Sequence, residues 1–227
     1  MGEPRRTRPA TRAESRFGLV LILLLATFVF LMAGSTSTWT RPIGVALMGA
    51  TLLASLSAAD ASPRLRRVAA FVALAAFLGA LSLVAIGDSG DGAAALLNAA
   101  LVVLAPFAIV RSVLRRGVID TRTVLAALCV YVLFGMLWAF IYTAIGNFDS
   151  SAFFAEPVDP TSADYLYFSF ITQLTVGYGD LTAAQNLGRA CAVLEALLGS
   201  IYLVTVVALL VSRLVPRAGK GVSSPEN

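Results

Sequence analysis

Six stretches of this chain, residues 17–34, 42–59, 68–87, 93–114, 124–146 and 188–215, are nearly free of charge and rich in Leu, Val, Ala and Phe. A helix that crosses the hydrocarbon core of a bilayer needs roughly 17 to 25 mostly apolar residues. A water-soluble fold of 227 residues has too little interior to hide six such runs. The overall balance agrees: 58% of residues are hydrophobic and 13% charged, against about 25% charged in an ordinary globular domain. The sequence therefore predicts an all-α integral membrane protein. The first run is read as an uncleaved helix, because Gly34-Ser35-Thr36-Ser37-Thr38 lacks a small-x-small cleavage site.

The basic residues give the expected topology. Arg5, Arg6, Arg8, Arg12 and Arg16 precede the first run, and Arg64, Arg66 and Arg67 lie in the second connection. Arg111, Arg115, Arg116 and Arg122 lie in the fourth connection, and Arg213, Arg217 and Lys220 at the C-terminal end. The odd-numbered connections hold only Arg41 and Arg189, together with Asp88, Asp91, Asp149, Glu156, Asp159 and Asp164. Positive-inside bias then places both termini in the cytoplasm, as an even number of crossings requires. This scattering of charge leaves no aromatic-interleaved basic face, so the net charge of +4 is not a nucleic-acid signal. Histidine is absent, which removes the commonest metal ligand. Cys129 and Cys191 fall inside apolar runs and read as small buried apolar residues.

The fifth connection contains one further apolar stretch, residues 162–174, too short to span and suited to a helix that enters the membrane and turns back. Pro160, Thr161 and Ser162 open it and Asp164 sits in its first turn, the chemistry of a capped helix start. Non-helical backbone at membrane depth is tolerated only where protein or water covers it, so the residues after this helix need a reason to be there. They are Thr175-Val176-Gly177-Tyr178-Gly179-Asp180. A dehydrated cation needs a cage of oxygens, which backbone carbonyls supply without net charge. Successive carbonyls point the same way when ordinary and left-handed residues alternate. Gly177 and Gly179, interleaved with Val176 and Tyr178, admit that alternation without a side-chain clash. The Thr175 hydroxyl is a further oxygen at the inner end. Val176 and Tyr178 are expected to point away from the axis and pack against the short helix.

Together with Thr172, this segment resembles the pore signature of the potassium-channel superfamily, and the resemblance extends over residues 124–215: outer helix, pore helix, filter and inner helix. It implies six transmembrane helices plus one re-entrant pore helix around a tetrameric pore. Thr175, Val176, Gly177, Tyr178 and Gly179 would bind permeant K+, with Thr172, Asp180, Tyr167 and Glu195 supporting the filter. Gly199 stands where such channels often carry a gating hinge, and a glycine in mid-helix costs about 1 kcal/mol against alanine. Close helix packing is the competing reading, since small residues favour such contacts. Glu195, one turn earlier on the same face, is a carboxylate inside a span and so marks a site. It is expected to pair with a pore-helix group such as Gln173, or to sit neutral near the cavity. Leu174 replaces the usual hydroxyl residue, and Phe168 stands where many relatives carry a tryptophan that bonds the filter. These departures put filter rigidity in question, not selectivity. One filter copy per chain implies a homotetramer.

The expected domains are a basic cytoplasmic N-terminus (1–16), a four-helix transmembrane region (17–122), a pore domain (123–215) and a short cytoplasmic tail (216–227). The fourth run carries no charge from Ala93 to Val110, whereas a voltage sensor needs several arginines, each worth about 2.3 kcal/mol per 100 mV. Little or no voltage dependence is expected. Pro106 is a candidate kink. The Gly87–Gly92 loop, with Asp88 and Asp91, lacks the ligand count of a calcium loop. No cofactor or enzymatic chemistry is expected, only K+ and the lipid bilayer as partners. Plasma-membrane localisation and a bacterial source, the latter suggested by Ala- and Arg-rich usage, complete the expectation. Rival readings are a potassium-transporter subunit, a non-selective cation channel and a non-conducting pore-like subunit. Transporters usually keep one glycine of the motif, and non-selective channels replace the tyrosine; here the motif is intact.

Overall fold

The computed structural model describes residues 12–34, 40–59, 61–86, 98–99, 102–103, 105–106, 109, 121–148 and 151–214. Among them run six helices: α1 (Arg12–Ala33), α2 (Thr40–Ala58), α3 (Pro63–Ile86), α4 (Thr121–Phe148), α5 (Ser162–Gln173) and α6 (Asn186–Leu214). There is no strand among the described residues, only an isolated antiparallel bridge between Phe154 and Ala183. Four helices are long and apolar enough to cross a membrane, over Arg16–Ala33, Pro63–Ser82, Thr123–Phe148 and Asn186–Val206. The apolar part of α2, Pro42–Ala58, falls just short of that length. The expected fourth span, the Gly87–Gly92 loop and the C-terminal tail lie largely or wholly outside the described residues. Within 93–114 the buried positions Asn98, Val102, Ala105 and Ile109 recur at helical spacing.

Local chemistry explains where helices begin. Pro63 opens α3, where its missing N–H costs nothing, and the Ser62 hydroxyl accepts a 3.3 Å bond from the Leu65 N–H. At α5 the Thr161 N–H and hydroxyl both donate to Asp164 Oδ2 at 2.7 Å, as the capping residues imply.

One apolar core runs from α1, α2 and α3 into α4 and reaches α5 at Leu166. Its contacts rest on small residues: a Cβ on Gly49 of α2 would lie 2.9 Å from Ala73 Cβ of α3. Inside this layer the buried hydroxyls of Thr27, Thr51 and Ser55 bond back to carbonyls one turn earlier in their own helices, so they tie nothing across. The N-terminal layer also touches α5 directly: the Phe28 ring of α1 lies 4.7 Å from the Phe170 ring of α5. A second, aromatic core of Tyr142, Phe153, Phe154, Tyr165 and Phe168 packs α4, the loop before α5 and α5 itself. By contrast α6 leaves Leu194, Leu197, Ile201 and Val204 exposed.

Candidate functional site

Residues 175–179 leave the C-terminal end of α5, and their backbone alternates as the glycine spacing requires. Gly177 and Gly179 have φ of +53° and +79°. Thr175 is left-handed as well, at +56°, so every second residue of Thr175-Val176-Gly177-Tyr178-Gly179 takes that conformation. For a β-branched residue this is a strained choice, costing of the order of 1–3 kcal/mol. Nothing in the residue type foretells it.

What holds the strain is a set of bonds back to the pore helix. The Thr175 N–H donates to the Thr172 carbonyl at 2.9 Å, and the N–H groups of Val176 and Gly177 converge on the Ile171 carbonyl at 2.9 and 3.2 Å. Thr172 therefore acts through its backbone. At the far end the Tyr167 hydroxyl donates to Asp180 Oδ2 at 2.7 Å. This bond offsets the concern about Phe168: the tie to the filter comes from its neighbour, and Phe168 is buried in the aromatic core instead.

The expected packing of Val176 and Tyr178 against the pore helix is not found within one chain: they are 47% and 71% exposed. The flanks of α5 are already taken, by the aromatic core around Tyr165 and Phe168 and by the contacts of Ser169 and Gln173 described next. Residues 174–180 are all exposed on the single chain.

Glu195 is fully buried on α6. It accepts from the Tyr142 hydroxyl of α4 at 2.6 Å, and its Oε1 lies 2.5 Å from Ser169 Oγ of α5. The partner expected from sequence, Gln173, is engaged elsewhere: its Nε2 donates to the Tyr131 carbonyl at 2.9 Å. Four residues toward the N-terminus, Ser169 is the one that faces Glu195. Gly199 packs on Gln173 so closely that a Cβ would sit 3.0 Å from Gln173 Cγ and 3.1 Å from its carbonyl oxygen. Helix α6 runs through Gly199 without interruption, so the packing reading of this glycine has a direct structural counterpart. Gly135 of α4 plays the same part on the other side of α5, since a Cβ there would overlap Gln173 Oε1 and lie 2.9 Å from the Phe170 ring. The outer loops are latched together by Glu156, which accepts from the Thr182 N–H at 2.8 Å and hydroxyl at 2.7 Å. Those two bonds hold its carboxyl below the usual glutamate range. Sequence reading overlooked Gly135, Ser169, Tyr142 and Glu156. Among the described residues no cluster of side chains suited to a metal ion occurs.

A short helix, a left-right alternating backbone after it and two long flanking helices make up a unit that coincides with the comparison to known families. Residues 126–215 match a family model described as an ion channel. That match covers nearly all of α4, the pore helix, the alternating segment and α6, and it supports an ion channel in a multi-pass membrane protein. It points to a non-enzymatic protein that handles ions. No curated protein and no solved structure matches the chain.

Proposed function

We propose that the chain is one subunit of a potassium-selective channel, conducting K+ passively through a homotetrameric pore in the plasma membrane with both termini cytoplasmic. The observation that carries this reading is the alternation of φ at Thr175, Gly177 and Gly179 within the intact Thr-Val-Gly-Tyr-Gly motif, which turns successive carbonyls toward one side. Such carbonyls replace the hydration shell of K+. One chain supplies a single exposed strand of ligands, so a closed cage calls for four copies around one axis. Tyr167, Thr172 and Asp180 brace the strand, and Gly199 seats the inner helix against Gln173, a contact that a gating bend at this glycine would have to break. The uncharged fourth run leaves voltage with little to act on.

The test is ion flux through purified protein in liposomes. K+ is expected to pass, Na+ to be excluded and Ba2+ to block. Gly177→Ala forces a side chain into a left-handed position, at a cost of roughly 1–2 kcal/mol in each subunit, and is expected to abolish flux while tetramers persist. Equal passage of Na+ and K+ would refute selectivity.

A further inference from the structure

The buried carboxylate that bridges three helices carries a consequence of hydrogen counting. Ser169 Oγ lies 2.5 Å from Glu195 Oε1 and 2.7 Å from the Gly135 carbonyl oxygen. A serine hydroxyl has one proton to give, yet both neighbours are oxygens within bonding distance. Were Glu195 ionised, one of these two contacts would set lone pair against lone pair. The pattern closes without conflict in one way: Oε1 carries a proton and donates it to Ser169 Oγ, Ser169 donates to Gly135, and Tyr142 donates to Oε2 at 2.6 Å. The surroundings agree. Among the described residues the titratable groups that interact with Glu195 are Tyr142 and Tyr131 from α4 and Cys191 from its own helix, and none of them is a cation. From α5 the Ser169 hydroxyl faces it. An unpaired charge buried inside a span is expensive, whereas a neutral acid with all its partners is not.

We infer that Glu195 is kept as the neutral acid and serves as a positioning residue, pinning the pore helix at Ser169 between α6 and α4, so that its deprotonation releases the pore helix and shuts the filter at alkaline pH. On ionisation the Ser169 proton swings to the carboxylate and Gly135 loses its donor, which removes one of the polar ties between α5 and α4, six residues before the left-handed Thr175. The role in conduction rests on the potassium-channel reading; the protonation state does not.

Glutamine reproduces the shape of the neutral acid and both of its bonds here: its amide oxygen accepts from Tyr142 and its amide nitrogen donates to Ser169. Glu195→Gln is therefore expected to leave K+ flux at neutral pH within about twofold of the parent, while Glu195→Ala lowers it at least about tenfold, because Ser169 and Tyr142 are left with unsatisfied groups. Raising the pH should suppress flux in the parent protein and not in Glu195→Gln. Independently of any flux, the infrared difference spectrum between the two should show the band of a protonated carboxylic acid in the parent alone. No such band, or a Glu195→Gln protein as impaired as Glu195→Ala, overturns the inference. If the band is found and no K+ passes, the neutral-acid assignment stands and the channel reading fails on its own.

Discussion

The two halves of the molecule are held together by different physics. In the N-terminal layer α2 meets α3 through Gly49 and Ala73, and its buried hydroxyls satisfy themselves within their own helices. In the unit of α4, α5 and α6 the buried Thr143 also bonds back within its own helix, but other polar groups reach across: Tyr142 and Ser169 to Glu195, Gln173 to Tyr131, and Tyr202 to the Ala127 carbonyl at 2.8 Å. Apolar packing between membrane helices is non-directional, because lipid is as apolar as the partner helix. Directional bonds set an angle and a register. A layer that only has to stay attached can rely on the former. A helix that must hold a strained, alternating backbone segment in place needs the latter.

Paired glycine substitutions break this contrast most sharply. Gly135→Ala inserts a methyl where Gln173 and Phe170 already stand and is expected to lower tetramer stability by about 1–3 kcal/mol, with loss of flux. Gly18→Ala in α1 meets nothing within 4 Å and is expected to be neutral or stabilising by up to about 1 kcal/mol. Thermal unfolding of the two variants side by side checks this, and equal losses would erase the distinction. A smaller effect is expected from Tyr167→Phe, which removes the bond to Asp180. Fold and tetramer should be retained, but flux should decay faster during sustained conduction, by an amount of the order of the 1 kcal/mol that a hydrogen bond is worth. Unchanged decay would remove Tyr167 from the filter's support. The mildest change concerns Glu156. Its carboxyl is held below the ordinary value of 4.5 by Thr182, so its contribution is fully present above that pH and is lost as pH falls through its lowered folded value. Acid titration of the outer-loop stability should therefore lose a component in Glu156→Gln. Identical titrations would show that the latch contributes nothing.

The alternating backbone of residues 175–179 was the most legible part of the chain, because glycines at every second residue after a helix too short to span foretell left-handed positions there. The capped start of α5 was legible for a similar reason, since Thr161 and Asp164 interact over three residues. What escaped was long-range. Ser169 and Gln173 lie one turn apart on the same helix, so residue type alone could not say which would meet Glu195; the approach of α6 decides it. The left-handed Thr175 runs against its own β-branched preference and follows from bonds to Ile171 and Thr172. Gly135 is one glycine among 18, and only the proximity of Phe170 and Gln173 distinguishes it.

The exposure of residues 174–180 on a single chain bears on how the protein is made. Bare backbone polar groups at membrane depth have no water to bond to and are not tolerated against acyl chains. If four copies close the pore as proposed, a newly inserted subunit is an unfinished product until its neighbours arrive. Its abundance in the membrane would be governed by the rate of encounter between copies and not by translation alone. A variant that inserts but fails to associate would then be found at low level, whatever the soundness of its own helices.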